Sequence, residues 1–461
     1  MAGIGFRLQK LLNSGSYQGL LLGYAYSAII SSGPWMLAMF GIAAIGVVAR
    51  MDIGGGVDKQ GGDLFRAVVT YVYAGSLLFG GFSHLGISRY ISDRLYSGQM
   101  ERVLPCFMRT AAATLIVGLI VSALWFYPSG LSIVQATAGI ALYQGLSLVW
   151  LCMVFLSAAK GYDTIAWGFF LCNVLGFVLA LFGNRFFGLD GLMWGYATGQ
   201  MALGGWLSLR IYREFPSYAP EEGEVFPFLW GKRALIGVGF LFNFGVWVDK
   251  FVIWYSPIGK QLSGWFHCSD IYDTCLYVSY LTVLPAMTMF LIRIETSFYK
   301  NYSIYFNAVT CGGDYEAIKL GKKKIGESLE LSAARIVKFQ GGLSLSLILA
   351  APLLAPYIGI PPDAVPLLRF GFLAALAQAM LQFLLIFFLY FDWQTKALKL
   401  AIFFVATNAI FTVLTIIFAR DWLGLGYLAA CVSSLVFGVF MFNRGMVLLE
   451  FETFAKQVGE N

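Results

Sequence analysis

The hydropathy rhythm of this chain is its strongest constraint. Apolar runs recur along its whole length, and the short breaks between them carry nearly all the charge. A bilayer's hydrocarbon core is about 30 Å thick, so a helix rising about 1.5 Å per residue needs roughly 20 apolar residues to cross it. By that ruler spans fall at 20–48, 64–88, 106–127, 131–159, 165–187 and 189–209. A second set follows at 234–255, 272–292, 337–359, 366–391, 397–418 and 423–447. Lipid offers backbone groups no hydrogen bonds, so such runs must be helices. The reading is an all-α integral membrane protein of about 12 transmembrane helices.

Organisation follows from where the breaks fall. Residues 1–19 place Ile4, Leu8, Leu11 and Leu12 on one helical face, which suits a helix lying in the membrane interface. The apolar run after them is too long for a signal-peptide core, so it should remain as the first span. Residues 20–210 form a first six-helix lobe and 211–232 a polar linker with Pro216, Pro220, Glu221 and Glu222. Residues 233–447 form a second six-helix lobe containing a long polar loop, 293–336, and 448–461 form a tail.

Composition excludes the soluble classes. Charged residues make up 12% of the 461 and hydrophobic ones 59%, whereas a soluble domain is typically about 25% charged. The net charge of +6 invites a nucleic-acid reading, but the basic residues lie in inter-span breaks, where topology explains them. With the N-terminus inside, 23 Lys and Arg face the cytoplasm, 7 face outward and Lys250 lies within a span. Excluding the eight at 293–338 leaves 15 to 7, with both termini inside. That pattern predicts cytoplasmic termini and a lipid bilayer as the surrounding partner, with no nucleic acid.

Catalytic and metal chemistry have little to stand on. The histidines are His84 and His267, no Ser/His/Asp constellation or phosphate-binding loop occurs, and the seven cysteines lack metal-ligand spacing. Gly424-Leu425-Gly426 has no βαβ context and reads as a loop or packing feature. The expectation is a non-enzyme with no catalytic residue, no metal and no cofactor.

Charges inside spans are costly and mark candidate paths. Asp249 and Lys250 lie late in the seventh span. As helix neighbours they point about 100° apart, so they are not natural partners for each other. Two readings stand for Lys250: snorkelling to the outer interface, or membership of a stripe Asn243, Trp247, Lys250, Trp254 facing a polar cavity. Indoles stack on sugar faces while amides and ammoniums bond hydroxyls, so the stripe suits a saccharide. His267, Asp270 and Asp273 flank the outer end of the eighth span, either as a solvated loop or as a gate that pairs with Lys250. Arg293 and Glu295 close its inner end, as an interfacial pair or a cytoplasmic gate. In the 293–336 loop, Ile318, Ile325, Leu329 and Ile336 share a helical stripe beside Lys322, Lys323 and Lys324. Contact with anionic lipid or docking of a cytoplasmic partner both fit this basic amphipathic segment. Gly80-Gly81-Phe82-Ser83 and Leu284-Pro285 interrupt the second and eighth spans, marking either a transport path or helix packing.

Several short motifs occur jointly across both halves: Met1–Phe6 (MAGIGF), Ser31-Ser32-Gly33-Pro34-Trp35, Gly161-Tyr162-Asp163, Val248-Asp249-Lys250-Phe251, Trp254-Tyr255-Ser256-Pro257 and Arg293-Ile294-Glu295-Thr296. On these the chain resembles the PelG family, inner-membrane transporters of the Pel exopolysaccharide system within the multidrug/oligosaccharidyl-lipid/polysaccharide (MOP) flippase superfamily. The resemblance implies twelve helices in two lobes around a central cavity, as in multidrug and toxic compound extrusion (MATE) proteins. It also implies export of a galactosamine-rich polymer. The implied partners are a cytoplasmic Pel glycosyltransferase and membrane subunits of the synthase that include a cyclic-di-GMP receptor. An ion-coupled drug antiporter or lipid-linked precursor flippase of the same fold is the alternative.

Overall fold

The computed structural model describes residues 59–156, 162–215 and 224–458, with Gln18, Tyr24, Ser27 and Ala28 besides. The interfacial helix expected at 1–19 and the span expected at 20–48 fall essentially outside the described residues. Helices run α1 (Lys59–Tyr96), α2 (Val103–Phe126), α3 (Ile133–Leu156), α4 (Tyr162–Glu214), α5 (Val225–Gly231) and α6 (Arg233–Trp254). Two short strands follow, β1 (Lys260–Ser263) and β2 (Phe266–Cys268). Then come α7 (Asp270–Leu281), α8 (Leu284–Arg293), α9 (Tyr299–Thr310), α10 (Tyr315–Leu354), α11 (Val365–Tyr390), α12 (Gln394–Phe418), α13 (Leu425–Val447) and α14 (Leu449–Val458).

Ten of the described helical runs are long and apolar enough to cross a bilayer. One of them, Ile165–Glu214, holds two spans, because Gly188 adopts φ 56° and ψ −136° and turns the chain back. The returning arm seats on the outgoing one through glycines spaced four apart, Gly191, Gly195 and Gly199. A Cβ on Gly191 would lie 2.2 Å from the carbonyl oxygen of Gly183, and one on Gly199 2.3 Å from Cα of Gly176. Without a hydrophobic drive between helices in lipid, such close backbone approach supplies the packing. Large apolar side chains such as Leu124, Phe182, Phe187, Leu353, Val436 and Phe440 stand exposed on the helices, which suits lipid as their solvent.

Contacts divide the described residues between 59 and 269 from those beginning at Asp270 as two compact units. The division falls after the two strands, so α6 packs with the helices before it, against α1. The sequence reading instead drew the lobe boundary at the 211–232 linker. Within that linker stretch Glu224 joins Arg94 at the end of α1 and Arg102 just before α2, and α5 is helical.

The first unit buries two apolar clusters. One gathers Phe65, Val68, Val72, Tyr196, Trp254 and Phe266, the other Ile87, Tyr90, Phe107, Phe155 and Leu207. Helix α1 threads both, and the stretch between them holds Tyr73, Ser76 and Ser83. Helix α1 is continuous through Gly80–Ser83, which corrects the expected interruption there. The glycines instead admit α6: a Cβ on Gly239 would lie 2.1 Å from the Gly81 carbonyl oxygen. Strands β1 and β2 pair antiparallel, Lys260 opposite Cys268, and Ser263 donates to the Ser129 carbonyl at 3.3 Å.

In the second unit the interruption at Leu284-Pro285 is real. Helix α7 ends at Leu281 and α8 restarts at Leu284, since Pro285 has no N–H for the carbonyl four residues earlier. The buried Gln340 of α10 donates to the Thr282 carbonyl at the break, at 2.8 Å. Beyond α8 a π-helical turn spans Ile294–Phe298. The expected 293–336 loop is corrected as well. It consists almost wholly of this turn, α9 and the first half of α10, and the span placed at 337–359 is the second half of the same helix. At 40 residues, α10 is about 60 Å long, roughly twice the hydrocarbon thickness. Asp314 caps its start by accepting from the Ala317 amide, and Ile318, Ile325 and Ile336 do form a buried stripe along it. Gly424 caps α13 with a positive φ of 91°, and Gly426 packs on the Phe411 carbonyl, so the GxG string is a turn and packing device.

Candidate substrate-path residues

Helix α6 positions the densest set of candidate side chains. Its contact with α1 is set by Gly81 facing Gly239 and by Phe82 stacked on Phe240 at 4.3 Å. One turn further, that register brings Asn243 Nδ2 to 3.3 Å from the Leu77 carbonyl, to which it donates.

Asp249 and Lys250 are both buried, at 0% and 7% exposure, and they pair with each other. Lys250 Nζ lies 3.2 Å from Asp249 Oδ2 and donates to the Val246 carbonyl at 3.0 Å. This corrects the expectation that neighbours about 100° apart would not meet. Helical side chains lean toward the N-terminus, and the four-carbon stem of lysine is long enough to fold its ammonium back past Asp249. The same bend turns Nζ toward the preceding turn, so Lys250 does not snorkel outward. The ammonium also stands 5.6 Å from the centroid of the Trp247 ring, within cation–π range.

The stripe does not hold over its full length. Trp254 is 1% exposed and stacks on Tyr71 at 4.6 Å within an apolar cluster, so it is a core residue. Strand β2 packs on α1 here, and its Phe266 also packs on Tyr71 at 5.2 Å. Asn243 and Trp247 remain partly exposed. His267 packs its ring on Tyr255, and its backbone N–H donates to the Tyr71 hydroxyl at 3.3 Å.

Polar groups that the sequence reading passed over lie in the same unit. Tyr73 and Tyr196 share a hydrogen bond at 3.0 Å, Trp150 Nε1 donates to Ser76 at 3.1 Å, and Gln200 donates to Asn173 at 3.1 Å. A tyrosine and a serine one turn apart inside an apolar span were the available signal. Among the described residues no group of three or more His, Cys, Asp or Glu could hold a metal.

The remaining candidates belong to the second unit. Asp270 and Asp273 occupy the first turn of α7, where carboxylates suit the helix dipole. Arg293 ends α8 half-buried, and Glu295 lies in the π-helical turn. The three lysines of α10 separate. Lys322 bonds the Val447 carbonyl at 3.1 Å and Glu450 at 3.3 Å. Lys323 and Lys324 are exposed.

A family model described as PelG, putative exopolysaccharide exporter (EPS-E), matches residues 1–454. No curated protein matches the chain. Solved structures share the fold at low identity. A MOP superfamily transporter from Pyrococcus furiosus aligns with TM-score 0.62 and 13% identity over 96% of this chain and 98% of its own. A multidrug resistance MATE transporter in an outward-facing conformation gives 0.60 and 13% over 96% and 98%. An inward-facing MATE conformation gives 0.57 and 15% over 92% and 99%. The fold is therefore that of a multi-pass MOP superfamily transporter.

Proposed function

Because the chain belongs to the PelG family of exopolysaccharide exporters, we propose that it carries a galactosamine-rich Pel-type polymer across the bacterial inner membrane, both termini cytoplasmic. A family match over nearly the whole length, on a transporter fold, carries this reading. The polymer's hydroxyls and amines each lose several hydrogen bonds in hydrocarbon, at a cost of roughly 2–7 kcal/mol per unpaired group. A route therefore has to offer polar and aromatic side chains, and Asn243, Trp247 and Lys250 on α6 are the proposed contributors. A cytoplasmic glycosyltransferase supplies the chain end, and the other membrane subunits of the synthase, including a cyclic-di-GMP receptor, are its further partners.

Thiol blocking tests the route. In the export-competent cell, a cysteine at 243 or 247 modified by a bulky aqueous reagent should stop polymer appearing outside. A cysteine at the core position 254 should stay unmodified. Full secretion after complete labelling at 243 and 247 contradicts the assignment.

The buried Asp249–Lys250 pair favours a second reading, an ion-coupled antiporter or lipid-linked precursor flippase of the same fold. Loss of ion-gradient-dependent transport in Asp249→Asn vesicles selects it.

A further inference from the structure

Helix α14 was expected as part of a tail, yet it is a fastened helix with one uncovered apolar side. Helix α13 has 23 residues, so it is about 34 Å long and matches one bilayer crossing. Its last residues therefore reach the membrane surface, and α14 starts two residues later, at Leu449. Leu449 is buried. Glu450 pairs with Lys322 of α10 at 3.3 Å, and Glu452 pairs with Lys396 of α12 at 2.7 Å. Lys322 also caps the Val447 carbonyl, and Lys396 stands 4.0 Å from the centroid of the Trp393 ring. Both acidic side chains of the first turn are thus turned inward and neutralised.

The other side carries Phe451 at 71% exposure and Phe454 at 44%. Leu448 and Val447 beside them are exposed too, and the turn before carries the exposed Asn443 and Arg444, ahead of the exposed apolar Phe440 and Val436 of α13. Exposed phenylalanines at the membrane-surface end of a span, beyond an exposed arginine and with the helix's own glutamates paired, fit the boundary between headgroups and acyl chains. We propose that α14 is an interfacial helix that inserts Phe451 and Phe454 into the bilayer surface, clasped to α10 and α12 by its two glutamates.

Depth-dependent quenching tests this. Phe451→Cys and Phe454→Cys, each in a Cys311→Ser background, are labelled with an environment-sensitive dye in phosphatidylcholine/phosphatidylglycerol nanodiscs. Lipids brominated near the glycerol should quench at least about twofold more than lipids brominated near the terminal methyl, and aqueous iodide should quench weakly. Strong iodide quenching without bromolipid quenching overturns the proposal. Protection from both quenchers also overturns it, since protein then covers the face. If the variants fold poorly, wild-type protein is irradiated in nanodiscs holding a lipid with a diazirine near the glycerol. Crosslinks on 447–454 are expected, and their absence is contrary.

Discussion

Burying Asp249 and Lys250 inside α6 costs several kcal/mol per ion, which their attraction and the Lys250 bond to Val246 offset only when both are present. Lys250→Met should therefore lower stability by about 3–5 kcal/mol by removing the ammonium that pairs with a buried carboxylate, whereas Asp249→Leu with Lys250→Met should come closer to wild type. Denaturant unfolding in detergent measures both. If that double variant is stable yet exports nothing, the pair serves transport. If it exports normally, the pair is structural. The candidate residues were legible as charges in an apolar run, but their geometry was not. Spacing on a helical wheel says where a Cβ points, and a lysine stem reaches well beyond that direction. Trp254 shows the converse: its place on the stripe was readable, but the Tyr71 ring and the apolar cluster that bury it were not.

At the scale of elements, two local devices shape the spans. The α4 hairpin depends on bare backbone at Gly191, Gly195 and Gly199, and a side chain at Gly191 meets the Gly183 carbonyl. Gly191→Val should destabilise by about 1–3 kcal/mol through overpacking, visible as a lower melting temperature in detergent. The break before Pro285 leaves the Thr282 carbonyl to Gln340. Gln340→Ala should cost about 0.5–1.5 kcal/mol by removing that bond to a half-buried carbonyl, and the loss should fall on the second unit in hydrogen exchange. Span positions were readable because apolar length is a property of sequence alone. The long continuous α10 was not, because its first half is polar enough to resemble a loop. Its apolar stripe, Ile318 to Ile336, was the visible trace of the helix.

Over the whole molecule, family and fold agree on a membrane transporter, and hydropathy alone had placed spans that match the described helices. Function at the level of substrate came through the family resemblance, since no residue constellation names a sugar. The central claim is that this chain moves a glycan across a bilayer. The most direct measurement is reconstitution with the glycosyltransferase supplied on one face of sealed liposomes with its activated sugar donor. Polymer should accumulate on the opposite face only when this subunit is present, protected from a glycosidase added on the synthesis side. Polymer remaining wholly sensitive to that glycosidase, with both proteins folded and synthesis active, would contradict it.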